Sequence, residues 1–153
     1  CRCRTRAARP GSVLVAPVVL PTELADELVA HARAELPNEC CGLLAGVDGV
    51  VTRVFRATNT AASPFLYSMD GLEQLRIFDE IEGAGWDVAA IYHSHTRSAA
   101  YPSRTDVELA FYPETPYLIV SLANDARPEI RAFLLARTGA EGEQITEVPV
   151  EIR

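Results

Sequence analysis

The sequence predicts one mixed α/β domain with a largely antiparallel, curved sheet flanked by helices. Apolar runs of strand length alternate with two segments of helical periodicity. Short turns rich in Gly, Asn and Asp join several of those runs, which implies antiparallel pairing. The 153 residues hold no internal repeat and no linker, and that length buries a core without disulfide or metal staples.

Taken in order, residues 13–20 form a short first strand, and Pro17 places it at an edge or a bulge. Pro21-Thr22-Glu23 opens a helix whose apolar set is Leu24, Leu28, Val29, Ala32 and Leu36, stopped by Pro37-Asn38. Acids come early in it and His31 and Arg33 late, as the helix dipole favours. His31 falls on its polar face, where a solvated side chain is expected. Residues 39–46 and 50–57 pair as a hairpin about Val47-Asp48-Gly49.

A loop follows over 59–64 and a possible short strand over 65–69. A helix is expected over about 71–83, with Leu72, Leu75, Ile77, Phe78 and Ile81 as its apolar set. Residues 87–95 are a strand, 103–111 a short helix, and 117–122 a continuously apolar central strand. Residues 130–136 alternate and pair with it, and 145–152 form a final edge strand.

Net charge is −7, distributed unevenly. Residues 1–10 hold four arginines and no acid, so residues 11–153 carry ten arginines against 21 acids, a balance of −11. The start, over 1–12, is expected to be a disordered basic tail preceding a domain at 13–153. The acidic body argues against a nucleic-acid surface. No apolar run reaches membrane-span length and no secretory leader is legible, so a cytoplasmic location is expected. Every basic residue is Arg, which excludes lysine-based covalent chemistry. Cys40 and Cys41, as strand neighbours, face opposite sides and cannot converge on one metal; reduced thiols are expected, with at least one buried.

The chemistry concentrates in His93-Ser-His95 and the Ser103-Arg-Thr-Asp106 that follows. Histidines at i and i+2 of a strand share a face. Two imidazoles and a carboxylate suit a zinc ion with one position open to water. Spacing alone leaves other readings open, because strand histidines also serve packing and Ser-x-x-Asp is a helix-capping pattern. Glu39 stands at the entrance of an earlier strand, where a carboxylate is either a solvated end residue or a general base.

Glu39 followed by His93-Ser-His95, seven residues, Ser103, two residues and Asp106 resembles the JAMM (MPN+) metalloprotease motif at all five positions. Cys41-Gly42-Leu-Leu-Ala-Gly46, Thr58-Asn59, Ser63-Pro64 and Tyr67 also look like that family, over roughly residues 13–152. The resemblance implies an MPN domain in which His93, His95 and Asp106 bind zinc, with water as fourth ligand. It further implies Glu39 as proton carrier and Ser103 as hydrogen-bond donor to the oxyanion.

The chain looks closest to the short bacterial members, especially the actinobacterial hydrolases that release cysteine from a ubiquitin-like sulfur-carrier protein. The implied partner is thus a sulfur carrier with a diglycine C-terminus, and the implied role is in cysteine biosynthesis. Trimming of a carrier precursor and a non-catalytic MPN scaffold are the alternatives. A DNA-repair relative is disfavoured by Thr96-Arg97 after the second histidine. Arg97, Arg104 and the loop over 59–67 flank the motif and are substrate-side candidates. Oligomeric state is not legible.

Overall fold

The computed structural model describes residues 15–137 and 143–153. The expected basic tail over 1–12 lies outside the described residues. In chain order the elements are β1 (Val18–Leu20), α1 (Thr22–Ala34), β2 (Cys41–Val47), β3 (Val50–Ala57) and α2 (Gly71–Gly83). Then come β4 (Asp87–His95), α3 (Arg104–Glu108), β5 (Tyr117–Ser121), β6 (Glu129–Arg137), β7 (Glu143–Val148) and β8 (Val150–Ile152). The strands form one sheet in the order β7-β6-β5-β4-β2-β3-β1-β8. Pairing is parallel at β4–β5, β1–β3 and β1–β8 and antiparallel at the four remaining contacts.

β2 and β3 turn through Asp48 and Gly49, at φ 51° and 78°. Two consecutive positive φ values define the tight turn that matches strand twist, which is why Asp-Gly stands there. α2 begins where Asp70 accepts the N–H groups of Leu72 and Glu73, both at 3.0 Å, and so satisfies two donors that a helix start leaves unpaired.

The last expected strand is in fact two. Pro149 has no N–H for a ladder, and the chain breaks there into β7 and β8, which occupy opposite ends of the strand order. One residue spans both edges, so the sheet curls until β8 lies beside β6, and Val18 N–H on the Pro149 carbonyl at 2.9 Å ties β8 to β1. The first strand also departs from expectation. Residues 13–14 lie outside the described residues; among those described, the strand starts after Pro17 and lies between β3 and β8 rather than at an edge.

Strand alternation gives the sheet two apolar faces. On one, Cys40, Leu44, Ala90, Tyr92, Leu118 and Val120 pack against Ala25, Leu28 and Ala32 of α1. On the other, Cys41, Leu43, Ile91, Tyr117 and Ile119 pack against Ile77 and Ile81 of α2 and Val107 of α3. Cys40 and Cys41 thus sit on opposite faces, buried and unbridged, as expected.

His31 departs from its expected solvated position. It is buried on the α1 side of the sheet, and its Nδ1 hydrogen-bonds the hydroxyl of Tyr92 at 2.8 Å. Gly42 makes room for that hydroxyl, since a Cβ there would collide with the Phe55 carbonyl and the Tyr92 ring. The segment over 65–69 is not a strand. Asn59 ties it down as a loop, donating to the carbonyls of Glu39 and Leu66 and accepting from the N–H groups of Ala61 and Ser68.

Candidate metal centre

β4 carries the centre. Its register against β2 pairs Cys41 with His93. Continued two residues outward, that register sets Glu39 opposite His95, and opposed residues of an antiparallel pair share a face. His93, His95 and Glu39 therefore point to the α2/α3 side. Ser94 points the other way and acts as a clamp: its Oγ accepts the Cys40 N–H at 2.8 Å and its own N–H meets the Cys40 carbonyl at 3.1 Å. Those bonds hold the strand entrance next to Glu39.

α3 delivers the carboxylate. Ser103 is its N-cap, accepting the Asp106 N–H at 3.1 Å while its own N–H donates to Asp106 Oδ2 at 2.8 Å. This reciprocal capping box fixes the Asp106 rotamer. Asp106 Oδ2 stands 3.2 Å from His93 Nε2 and 3.0 Å from His95 Nε2, and the two Nε2 atoms are 3.2 Å apart. Donors about 2.0 Å from a tetrahedral ion lie about 3.3 Å from one another. The triad fits such an ion without rearrangement, and it is a three-ligand set that could hold a metal.

The surrounding bonds orient the donors. His95 Nδ1 donates to the Ala99 carbonyl at 2.8 Å, which turns Nε2 toward Asp106 and His93. Ser121 on β5 holds the same loop by donating its hydroxyl to the Ser98 carbonyl at 2.6 Å. His93 is stacked under Tyr67, with ring centroids 4.5 Å apart and planes 20° apart. Ala99 and Ser121 had no signal in the sequence. The Ala99 contribution is a main-chain carbonyl, which any residue provides.

Glu39 is only 3% exposed, and burial, opposed in part by nearby His95, pushes its carboxyl up to about 8. Its Oε2 has no hydrogen-bond partner, and neither does His93 Nδ1. Burial also pushes Asp106 up, but the hydrogen bonds from His93 and His95 prevail and hold it well below the ordinary carboxylate range. For His95, burial acts downward, while its bonds to Asp106 and Ala99 outweigh burial and raise it.

Glu39, His95 and Ser103 line one cleft of about 390 Å³ together with Pro64, Phe65, Thr96, Arg97, Ser98 and Thr105. Three of the five motif positions thus line this cavity, and His93 and Asp106 reach its edge through their contacts with His95. Ser103 Oγ accepts the cap bond, so its hydroxyl proton remains available to a ligand in the cleft. Of the flanking candidates, Arg97 and part of the loop enter the cleft lining. Arg104 does not, its guanidinium turning to Glu108 at 2.9 Å.

A fold and a His-His-Asp site of this kind define a class. The family model described as prokaryotic homologs of the JAB domain matches residues 21–136. The chain belongs to that family and is a hydrolase of the JAMM metalloprotease type. It is 41% identical over 146 residues to the CysO-cysteine peptidase of Mycobacterium tuberculosis, covering 94% of this chain and 95% of the relative. It is 34% identical over 144 residues to a probable TtuB-protein conjugate cleaving protease of Thermus thermophilus, covering 94% and 90%. Among solved structures, protein DSY2949 from Desulfitobacterium hafniense superposes with a TM-score of 0.78 at 37% identity, covering 88% of this chain and 92% of that one.

Proposed function

We propose that this chain is a zinc-dependent peptidase that hydrolyses the amide between the C-terminal glycine of a ubiquitin-like sulfur carrier and cysteine. The observation that carries the reaction class is the set of three donor atoms at 3.0–3.2 Å beside a buried, unpartnered Glu39 carboxylate oxygen. The substrate rests on likeness to relatives named for carrier–cysteine and carrier–protein conjugates. A diglycine end on the carrier and a cytoplasmic setting belong to the same reading.

His93, His95 and Asp106 would hold the zinc, which when bound supplies Lewis acidity toward the scissile carbonyl and lowers the pKa of water. The chain's own residues do the rest. The Ala99 carbonyl and the capping box keep His95 and Asp106 aimed at one point. A cation there favours the ionised form of Glu39 against the burial that raises it.

Ionised Glu39 takes a proton from the attacking water as the water oxygen bonds to the carbonyl carbon, and gives it to the amine nitrogen as the C–N bond breaks. The Ser103 hydroxyl donates to the carbonyl oxygen as that oxygen gains negative charge.

The test is to incubate the zinc-loaded chain with a carrier–cysteine adduct and follow released cysteine by mass spectrometry. Turnover by the wild type and none by Glu39→Ala is expected. Equal behaviour of the two would sink the proposal. A carrier precursor bearing extra residues after its diglycine, run in parallel, distinguishes cysteine release from precursor trimming.

A further inference from the structure

One side chain in the catalytic cleft has no part in the reaction described above. Arg97 lies two residues beyond His95, lines the same cavity as Glu39 and Ser103, and among the described residues has no acidic partner. Arg33, Arg53, Arg56, Arg104, Arg131 and Arg153 each sit within 4.0 Å of an acid; among the described residues Arg76 and Arg127 do not, but neither lines this cleft. An unpaired guanidinium in a strongly acidic chain, facing a cavity that already holds Glu39, is available for an incoming anion.

Resting on the proposed function, the geometry points to Arg97 as the residue that selects the leaving group by its free α-carboxylate. The leaving amine must come close to Glu39 to be protonated. If that amine belongs to a free-ended amino acid, its carboxylate follows one carbon away and is repelled by the Glu39 carboxylate. A guanidinium on the same cleft offsets the repulsion and offers a two-pronged donor to the carboxylate. Thr96, Ser98 and Thr105 line the cleft beside it. The side-chain amine of a lysine carries no such carboxylate and gains nothing from Arg97. The chain is therefore built to release a terminal amino acid in preference to opening a lysine isopeptide.

The experiment uses the full, zinc-loaded chain and two substrates, a carrier–cysteine adduct and the matching carrier–cysteinamide, which differ only in the negative charge. The readout is the ratio of their kcat/KM values. Wild type is expected to favour the carboxylate about tenfold, the size of one charge-assisted pair partly open to solvent. Arg97→Ala should bring the ratio to near one, and Arg97→Lys should restore part of it. A wild-type ratio near one, or an unchanged ratio in Arg97→Ala, overturns the inference. Absence of turnover on both substrates overturns the proposed function and this inference with it.

Discussion

The two faces of the central sheet each bury a polar cluster built around histidine, on different terms. Under α1, His31 and the Tyr92 hydroxyl satisfy one another at 2.8 Å, and Gly42 supplies the space that lets them meet. Under α2 and α3, three donor atoms crowd together at 3.0–3.2 Å while Glu39 Oε2 and His93 Nδ1 have no partner. A buried polar pair that is complete stabilises the fold. A buried cluster left incomplete, with the donors of a metal site, stores its binding capacity for something else. One histidine thus completes the core, while two stand among donors that could hold a metal.

The largest effect expected on the site face is from metal removal. Stripping the chain with a zinc chelator should bring cysteine release to background, and added zinc should restore it. Next, Glu39→Gln in the zinc-loaded protein should lower kcat by about 10²–10⁴, the usual contribution of a general base, with zinc content by elemental analysis unchanged. On the α1 face the comparison predicts the converse. Tyr92→Phe removes the partner of a buried His31 nitrogen and should lower unfolding stability in urea by about 1–3 kcal/mol, leaving kcat close to wild type. A kcat loss there as large as that of Glu39→Gln would erase the distinction between the faces. The smallest effect belongs to Arg104→Ala. That change breaks an exposed helical ion pair with Glu108 and should shift stability by less than about 0.5 kcal/mol.

Much of the frame was legible in the sequence because it rests on local rules. Asp48-Gly49 dictates a hairpin, Asp70 starts α2, and the apolar run before His93 is β4 as read. The resemblance named five positions; the structure draws His93, His95 and Asp106 to one point, with Glu39 placed by the β2–β4 register and Asp106 by the capping box. What escaped was non-local or main-chain. His31 reads as solvated on its own helix, and only Tyr92, 61 residues away, makes it a core residue. The curl that brings the β7 and β8 edges together depends on Pro149 and on where β1 finds room. The Ala99 carbonyl that orients His95 has no side-chain signature.

The central claim, that the site-face cluster is incomplete by construction, is tested most directly at Glu39 in the metal-free protein. Its carboxyl is raised from 4.5 to about 8, so the folded state favours the protonated form. The contribution of that proton to stability is fully present below about pH 4.5 and is lost as the pH rises toward 8. Glu39→Gln has nothing to lose over that range. Urea unfolding of both proteins across pH 4–9 should therefore give similar stabilities at the acid end and a variant more stable by a few kcal/mol at pH 8. A variant that is less stable than wild type at pH 8, or a difference that does not change with pH, would contradict the account.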